Sequence, residues 1–244
     1  MSGLKIVKKI IHKVGKFFLT PIEVFVFHAV SDSFDERCNK LKDWSQTQDF
    51  KNHILWLKKR YRFITLEECY RKLKKQRIRF RHYAVMTCDD GYASVLQVLP
   101  FLEEQQVPMT LFINPKYLDG KSKREGYAES PIYITENQLW GLNSSWVTIG
   151  MHGYEHLNAT KQSKEDFVDS VRKCKEMLQG HPGYIPYFAY TWGLFSEGTQ
   201  RVLDEMHVVP VLTSGEGNQR FKEGIDRRPM DSYYWKVQVR RLRR

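Results

Sequence analysis

Two short segments hold the residues best suited to chemistry. Thr87-Cys88-Asp89-Asp90-Gly91 follows the apolar run Tyr83-Ala84-Val85-Met86. His152-Gly153-Tyr154-Glu155-His156 follows Trp146-Val147-Thr148-Ile149-Gly150. One carboxylate and two imidazoles form a ligand set for a catalytic divalent metal, with coordination positions left open for water and substrate. The second carboxylate is then free to act as a base, because adjacent side chains on a turn point in different directions. Gly153 argues against reading the histidine pair as one face of a helix. It also argues against a His-Glu-x-x-His zinc protease, which needs Glu at that position. Asp-Asp-Gly alone is a common turn. The signal is the conjunction of the two segments, in this order, each after an apolar run.

Positioning these segments requires a rigid frame, and the chain predicts one. Ile22–Phe27 reads as a buried strand ending on His28, and Tyr83–Met86, Met109–Ile113, Ile185–Tyr190 and Val208–Thr213 read as further strands. Phe50, Ile54 and Leu57 share a helical face, as do Phe167, Val171, Cys174 and Leu178 behind a Ser163 cap. Arg62–Ile64 reads as a short strand, and Thr65 with Glu68 makes a capping box for a helix running to about Leu73. A helix through Leu96, Leu99 and Leu102 must kink or restart at Pro100, and another spans Ser196–Met206. Residues 114–145 read as loops near the site mouth with one short helix from Glu136. Alternating strands and helices predict an α/β fold with a parallel sheet or barrel, its site on the rim where the strands end.

Length and charge bound the function. The 244 residues suffice for one sizeable domain. Lys plus Arg exceed Asp plus Glu by 39 − 28 = 11, which favours anionic partners. No helix-turn-helix, RRM or zinc-finger pattern accompanies that charge, so nucleic acid is not expected. Cys38, Cys69, Cys88 and Cys174 are scattered, without a disulfide framework or zinc knuckle. Residues 3–19 form a basic amphipathic segment: Ile6, Ile10, Val14 and Phe17 share a face, and lysines interrupt every apolar stretch. The expected organisation is therefore an amphipathic helix over residues 1–20, followed by a catalytic domain over 21–244. The lysines leave no signal-peptide core, so a cytoplasmic protein is expected, held peripherally on an acidic membrane surface by residues 3–19.

The two motifs resemble those of the polysaccharide deacetylase family (the NodB-homology domain, carbohydrate esterase family 4), with Cys88 in place of a Phe, Gly153 in place of Ser or Thr, and Leu157 in place of a frequent Pro. The resemblance runs over about residues 22–215. It implies a distorted (β/α) barrel with fewer than eight regular strands. It also implies removal of acetyl groups from N-acetylated sugars by a metal-dependent hydrolase. Carried over by position, Asp90, His152 and His156 bind one divalent ion, with zinc first and cobalt, nickel or manganese as alternatives. Asp89 is the general base. Phe188-Ala189-Tyr190-Thr191-Trp192-Gly193 resembles a variant of the third family motif, which assigns an oxyanion-binding backbone N–H, and with it a wall for the sugar pocket, to Trp192.

Two departures stand out. Ala189 replaces the arginine that orients the base, leaving Arg227 and Arg228 as candidates from a late loop, with Arg228 assigned. The family's Leu-x-His is absent, and His28, at a strand end, is the best substitute for the acid that protonates the leaving amine. The same machinery could serve an O-acetyl ester. These departures also fit a non-catalytic, membrane-associated glycan-binding protein, against which the complete set Asp89, Asp90, His152 and His156 argues.

Overall fold

The computed structural model describes residues 22–32, 43–75, 81–122, 133–215, 217–218 and 223–242. The N-terminal amphipathic segment and Cys38 lie outside the described residues.

The strands are β1 (Ile22–Phe27), β2 (Ala29–Val30), β3 (Trp44–Ser45), β4 (Arg62–Phe63), β5 (Tyr83–Cys88), β6 (Met109–Ile113), β7 (Val147–Met151), β8 (Tyr184–Ala189), β9 (Val209–Leu212), β10 (Ile225–Asp226) and β11 (Arg228–Pro229). The helices are α1 (Thr47–Lys58), α2 (Leu66–Lys75), α3 (Leu99–Glu104), α4 (Glu136–Trp140), α5 (Lys164–Leu178), α6 (Glu197–Glu205) and α7 (Ser232–Leu242). Nine strands form one sheet in the order β10-β9-β8-β7-β6-β5-β1-β11, with β4 beside the start of β5. Every pairing in it is parallel. The terminal strands β10 and β11 are separated in the chain by Arg227 alone, so this residue spans the seam of a nearly closed barrel. The expected distorted (β/α) barrel is the observed architecture.

Strand alternation sorts the apolar residues into two cores. Val24, Val85, Phe112, Tyr187, Val211 and Ile225 belong to one set, against which α2 packs Leu66, Cys69 and Leu73. Phe25, Phe27, Met86, Leu111 and Ile113 belong to the other, with Phe50, Ile54 and Leu57 of α1 and Phe167, Val171, Cys174 and Leu178 of α5. The first set fills the barrel, and the second lies between the barrel and its helices. Gly150 marks how tightly the interior is packed: a Cβ there would sit 2.5 Å from the Phe112 ring and 3.1 Å from the Tyr187 carbonyl oxygen.

The local signals work as their chemistry requires. Ser163 accepts from the Asp166 N–H at the start of α5. Thr65 accepts from the Glu68 N–H at 3.1 Å ahead of α2. A restart, not a kink, occurs near Pro100: a 3-10 turn over Ala93–Val98 gives way to α3, with Pro100 in its first turn where no N–H is needed. The small parallel pair β2–β3, the seam strands β10 and β11, and α7 were not anticipated from sequence. Strands of two residues carry no periodicity to read.

Candidate active site

The strand ends on one rim of the barrel deliver every residue of both motifs. Asp89 and Asp90 follow β5, and the Asp89 N–H donates to the Phe27 carbonyl at 3.1 Å, which ties the pair to the end of β1. His152 and His156 follow β7 on a loop and not on a helix, as Gly153 requires. The loop uses left-handed backbone at Gly153 (φ 77°) and at His156 (φ 59°). Asp90 itself sits at φ 69°, a conformation Asp tolerates better than most residues.

The four side chains are buried and converge. Asp90 Oδ1 lies 3.3 Å from His152 Nε2 and 3.0 Å from His156 Nε2. Asp90, His152 and His156 each offer one ligand atom within 4.8 Å of the others. His152 Nδ1 lies 2.8 Å from the Ala189 carbonyl oxygen. A carbonyl can only accept, so Nδ1 carries a proton and Nε2 is the ring atom left to serve a metal ion. The donor set fits a divalent ion. Ligand bonds of about 2.0–2.1 Å arranged tetrahedrally imply edges of about 3.3 Å, close to the observed separations. Burial opposes ionisation of Asp90, yet His156 and His152 beside it hold its carboxyl well below the usual range.

Asp89 is held differently. Arg227 donates from both terminal nitrogens, Nη1 to Oδ1 at 2.6 Å and Nη2 to Oδ2 at 2.7 Å. The same guanidinium also donates to Thr87 Oγ1 at 3.2 Å, to Thr213 Oγ1 at 3.1 Å and, through Nε, to the Leu212 carbonyl at 3.2 Å. It lies 5.3 Å from the centre of the Phe112 ring. A fully buried arginine is tolerated because its donors are satisfied and its charge is paired. Burial raises the Asp89 pKa, but Arg227, with His152 and His28 beside it, outweighs burial and holds the carboxyl below its ordinary range.

Arg228, assigned to this role from sequence, does not reach Asp89. Its Nε donates to Glu23 at 2.7 Å and its Nη1 to the Gly215 carbonyl at 2.5 Å. The reason is register: successive residues across the seam point to opposite faces, and Arg227 alone faces the barrel interior.

His28 stands on the same rim. Its Nδ1 lies 3.1 Å from Asp231 Oδ2, and its backbone N–H donates to Asp231 Oδ1 at 3.2 Å. Burial would depress its pKa, but the Asp231 carboxylate, with Asp90 and Asp89 nearby, holds it up at about 10. Asp231 was missed in the sequence because it lies in a stretch with no strong pattern. Asp43 also approaches this pair. Cys88, the substitution within the first motif, donates its thiol to the His28 carbonyl at 3.2 Å. Burial, with Asp89 beside it, pushes that thiol well above its ordinary pKa, leaving it inert.

Trp192 occupies the turn Thr191–Gly193 beyond β8, in left-handed backbone at φ 54°. The residue is 59% exposed and its ring meets His156 edge-on at 4.6 Å between centres, so it is a rim residue and not a core tryptophan. The Thr191 hydroxyl donates to the Leu157 carbonyl at 2.7 Å and ties this turn to the histidine loop.

Comparison with known proteins agrees with this frame. The sequence model of the polysaccharide deacetylase family matches residues 78–211. The structure of IcaB from Ammonifex degensii superposes with a TM-score of 0.77 at 18% identity, covering 91% of this chain and 96% of that one. A de-N-acetylase from Aggregatibacter actinomycetemcomitans gives 0.70 at 15% identity, covering 89% and 98%. The Streptococcus pyogenes deacetylase PplD, solved in complex with acetate, gives 0.67 at 18% identity, covering 86% and 93%. At these identities the structures establish a shared fold. No curated protein matches by sequence. The family match covers more than half of the chain and includes both motifs: this chain belongs to the polysaccharide deacetylase family, a group of hydrolases acting on carbon–nitrogen bonds other than peptide bonds.

Proposed function

We propose that this family member removes the acetyl group from an N-acetylated sugar of a glycan or lipid-linked saccharide. The observation that carries the reading is the juxtaposition of three units on one rim. These are the ligand set Asp90, His152 and His156, the clamped base Asp89 with Arg227, and the charged pair His28 with Asp231. A divalent ion held by Asp90, His152 and His156, zinc before cobalt, nickel or manganese, would supply a Lewis acid and an activated water.

The chain's own residues divide the remaining work. Asp89 takes a proton from the attacking water as its oxygen bonds to the acetamide carbonyl carbon. Arg227 occupies one side of each Asp89 oxygen and fixes the carboxylate plane, so the base needs no reorganisation at the moment of transfer. The backbone N–H of Trp192 is assigned to the developing oxyanion and its ring to one wall of the sugar site. His28 then gives its proton to the departing nitrogen as the carbon–nitrogen bond breaks, yielding acetate and a free amine. An amine leaves only when protonated, and a histidine kept cationic by Asp231 suits that step. This favours an amide over an O-acetyl ester. The intact base, acid and ligand set weigh against a non-catalytic glycan-binding role.

The test is acetate release from a panel of N-acetylated oligosaccharides and matched O-acetyl esters, run beside metal analysis of the same preparation. Release from the amides, dependent on the bound ion, is expected. Metal uptake without release from any amide would remove the reading. We also place the protein on an acidic membrane surface through residues 3–19. The support is their lysine-rich polar face and their apolar stripe.

A further inference from the structure

We infer that Asn114 is a positioning residue for the metal-binding loop, holding His152 and His156 in register before any ion binds; this rests on the ligand assignment above. Asn114 follows β6 and is buried beneath the loop, with 2% of its surface exposed. Its Nδ2 lies 2.6 Å from the His152 carbonyl oxygen and 2.8 Å from the Gly153 carbonyl oxygen. Two carbonyls can only accept, so this nitrogen must be the amide NH₂, both of whose protons are used.

The residues around Asn114 grip the rest of the loop. The His152 N–H donates to the Ile113 carbonyl at 3.0 Å, and the Lys116 N–H donates to the Tyr154 carbonyl at 3.1 Å. The Tyr117 hydroxyl donates to the Glu155 carbonyl at 3.1 Å, and Lys116 pairs with the Glu155 carboxylate. From the other side, Ser170 of α5 accepts from the Tyr154 N–H at 3.0 Å. Four consecutive carbonyls, from His152 to Glu155, are therefore bound by residues 114–117.

Asn114 serves two carbonyls to which, among the described residues, no backbone N–H donates. They belong to the first ligand and to Gly153, where the chain turns into left-handed backbone. With its carbonyl on Asn114, its N–H on Ile113 and its ring on Ala189, His152 has no freedom left except that of the whole loop. A ligand so constrained binds its ion without first paying to order the chain. The side-chain type follows. Aspartate would set an acceptor against two acceptors, and leucine would strand two buried carbonyls. Asn114 lies outside both motifs, and only the apolar run before it signals that it ends a strand.

The test measures metal affinity, not turnover. Zinc binding would be followed by chelator competition on the full-length protein, comparing wild type, Asn114→Ala, Asn114→Ser and Thr110→Val. Thr110→Val removes the 2.8 Å hydroxyl pairing between Thr110 of β6 and Thr148 of β7 without touching the loop. Loss of a residue that orients a ligand weakens metal binding by about 10- to 100-fold. That loss is expected for Asn114→Ala, a smaller one for Asn114→Ser, which keeps one donor, and none for Thr110→Val. Far-UV circular dichroism of the metal-free proteins should match throughout. Wild-type zinc affinity in a folded Asn114→Ala overturns the inference. Should that chain not fold, wild-type affinity in Asn114→Ser overturns it equally. A wild-type protein that takes up no ion would instead refute the ligand assignment itself, and so separates the two ideas.

Discussion

Arg227 grips both carboxylate oxygens of Asp89 across 138 residues of sequence, and it does so from the single position that joins the two ends of the barrel. Barrel closure and orientation of the Asp89 carboxylate are thus one structural event. Arg227→Met should leave a buried carboxylate without its partner and destabilise the protein by about 3–5 kcal/mol. The sign with pH is fixed by the depressed Asp89 pKa. The pair's stabilisation is present above the unfolded carboxyl pKa of about 3.9 and is lost as pH falls through the lower folded value. The wild-type advantage over Arg227→Met in urea unfolding should therefore shrink in acid. Arg228→Ala, which breaks the Glu23 pair and the bond to the Gly215 carbonyl but touches nothing on Asp89, should leave turnover close to wild type.

Asp89→Asn separates base from ligand. The amide keeps the shape but cannot take a proton, so acetate release should fall by about 10²- to 10⁴-fold. Zinc content, measured by elemental analysis, should stay at the wild-type level, because Asp90, His152 and His156 are untouched. Near-normal turnover in this variant would place the base elsewhere.

The His28–Asp231 pair predicts a titration. In the metal-free protein the imidazole should remain cationic up to about pH 10, facing Asp231, Asp43, Asp89 and Asp90. Its raised pKa means that the pair's stabilisation is complete below about pH 6.5 and is lost as pH rises through about 10. Asp231→Asn removes the largest charge that opposes burial, so the imidazole pKa should drop substantially. NMR titration of the ring protons reads this directly. A His28 that titrates alike in both proteins would deny Asp231 its role.

Gly150 sits where β7 passes the Phe112 ring, and Gly150→Ala forces the ring aside in a filled barrel. Overpacking of this kind costs about 1–3 kcal/mol. Because the ring lies beside the Arg227 guanidinium, some loss of turnover should accompany the loss of stability. Denaturant unfolding and acetate release on the same variant test both effects.

How much of this was legible in sequence depends on where each signal resides. The strands bearing the motifs were readable because a buried parallel strand is a continuous apolar run, and α5 was readable from Ser163 and four apolar residues at helical spacing. His28 was identified from its position after such a run. Arg227 and Arg228 were indistinguishable, because two adjacent arginines at the junction of two two-residue strands differ only by which face of the sheet they point to, and no period shows over so short a stretch. Asp231 and Asn114 were invisible for a related reason. Each acts on a residue distant in the chain, 203 positions away in the case of His28, and their spacing follows from which strands lie side by side and not from any local pattern.

The last prediction concerns residues 3–19, which lie outside the described residues. Among the described residues no helix is long and apolar enough to cross a membrane. A surface-lying helix adds apolar burial to lysine attraction, about 1 kcal/mol per Lys near an anionic leaflet. The triple change of Lys5, Lys8 and Lys9 to Glu reverses three charges and keeps Ile6, Ile10, Val14 and Phe17. Co-sedimentation with phosphatidylserine-containing vesicles should be strong for wild type at low salt, weaken as salt screens the lysines, and collapse in the variant. Acetate release from a soluble N-acetylated oligosaccharide should be unaffected, because the catalytic rim belongs to other residues. Loss of that activity together with the binding would mean that this segment packs on the barrel as part of the domain. Wild-type protein that ignores acidic vesicles at low salt would remove the membrane, and with it the support for a lipid-linked substrate.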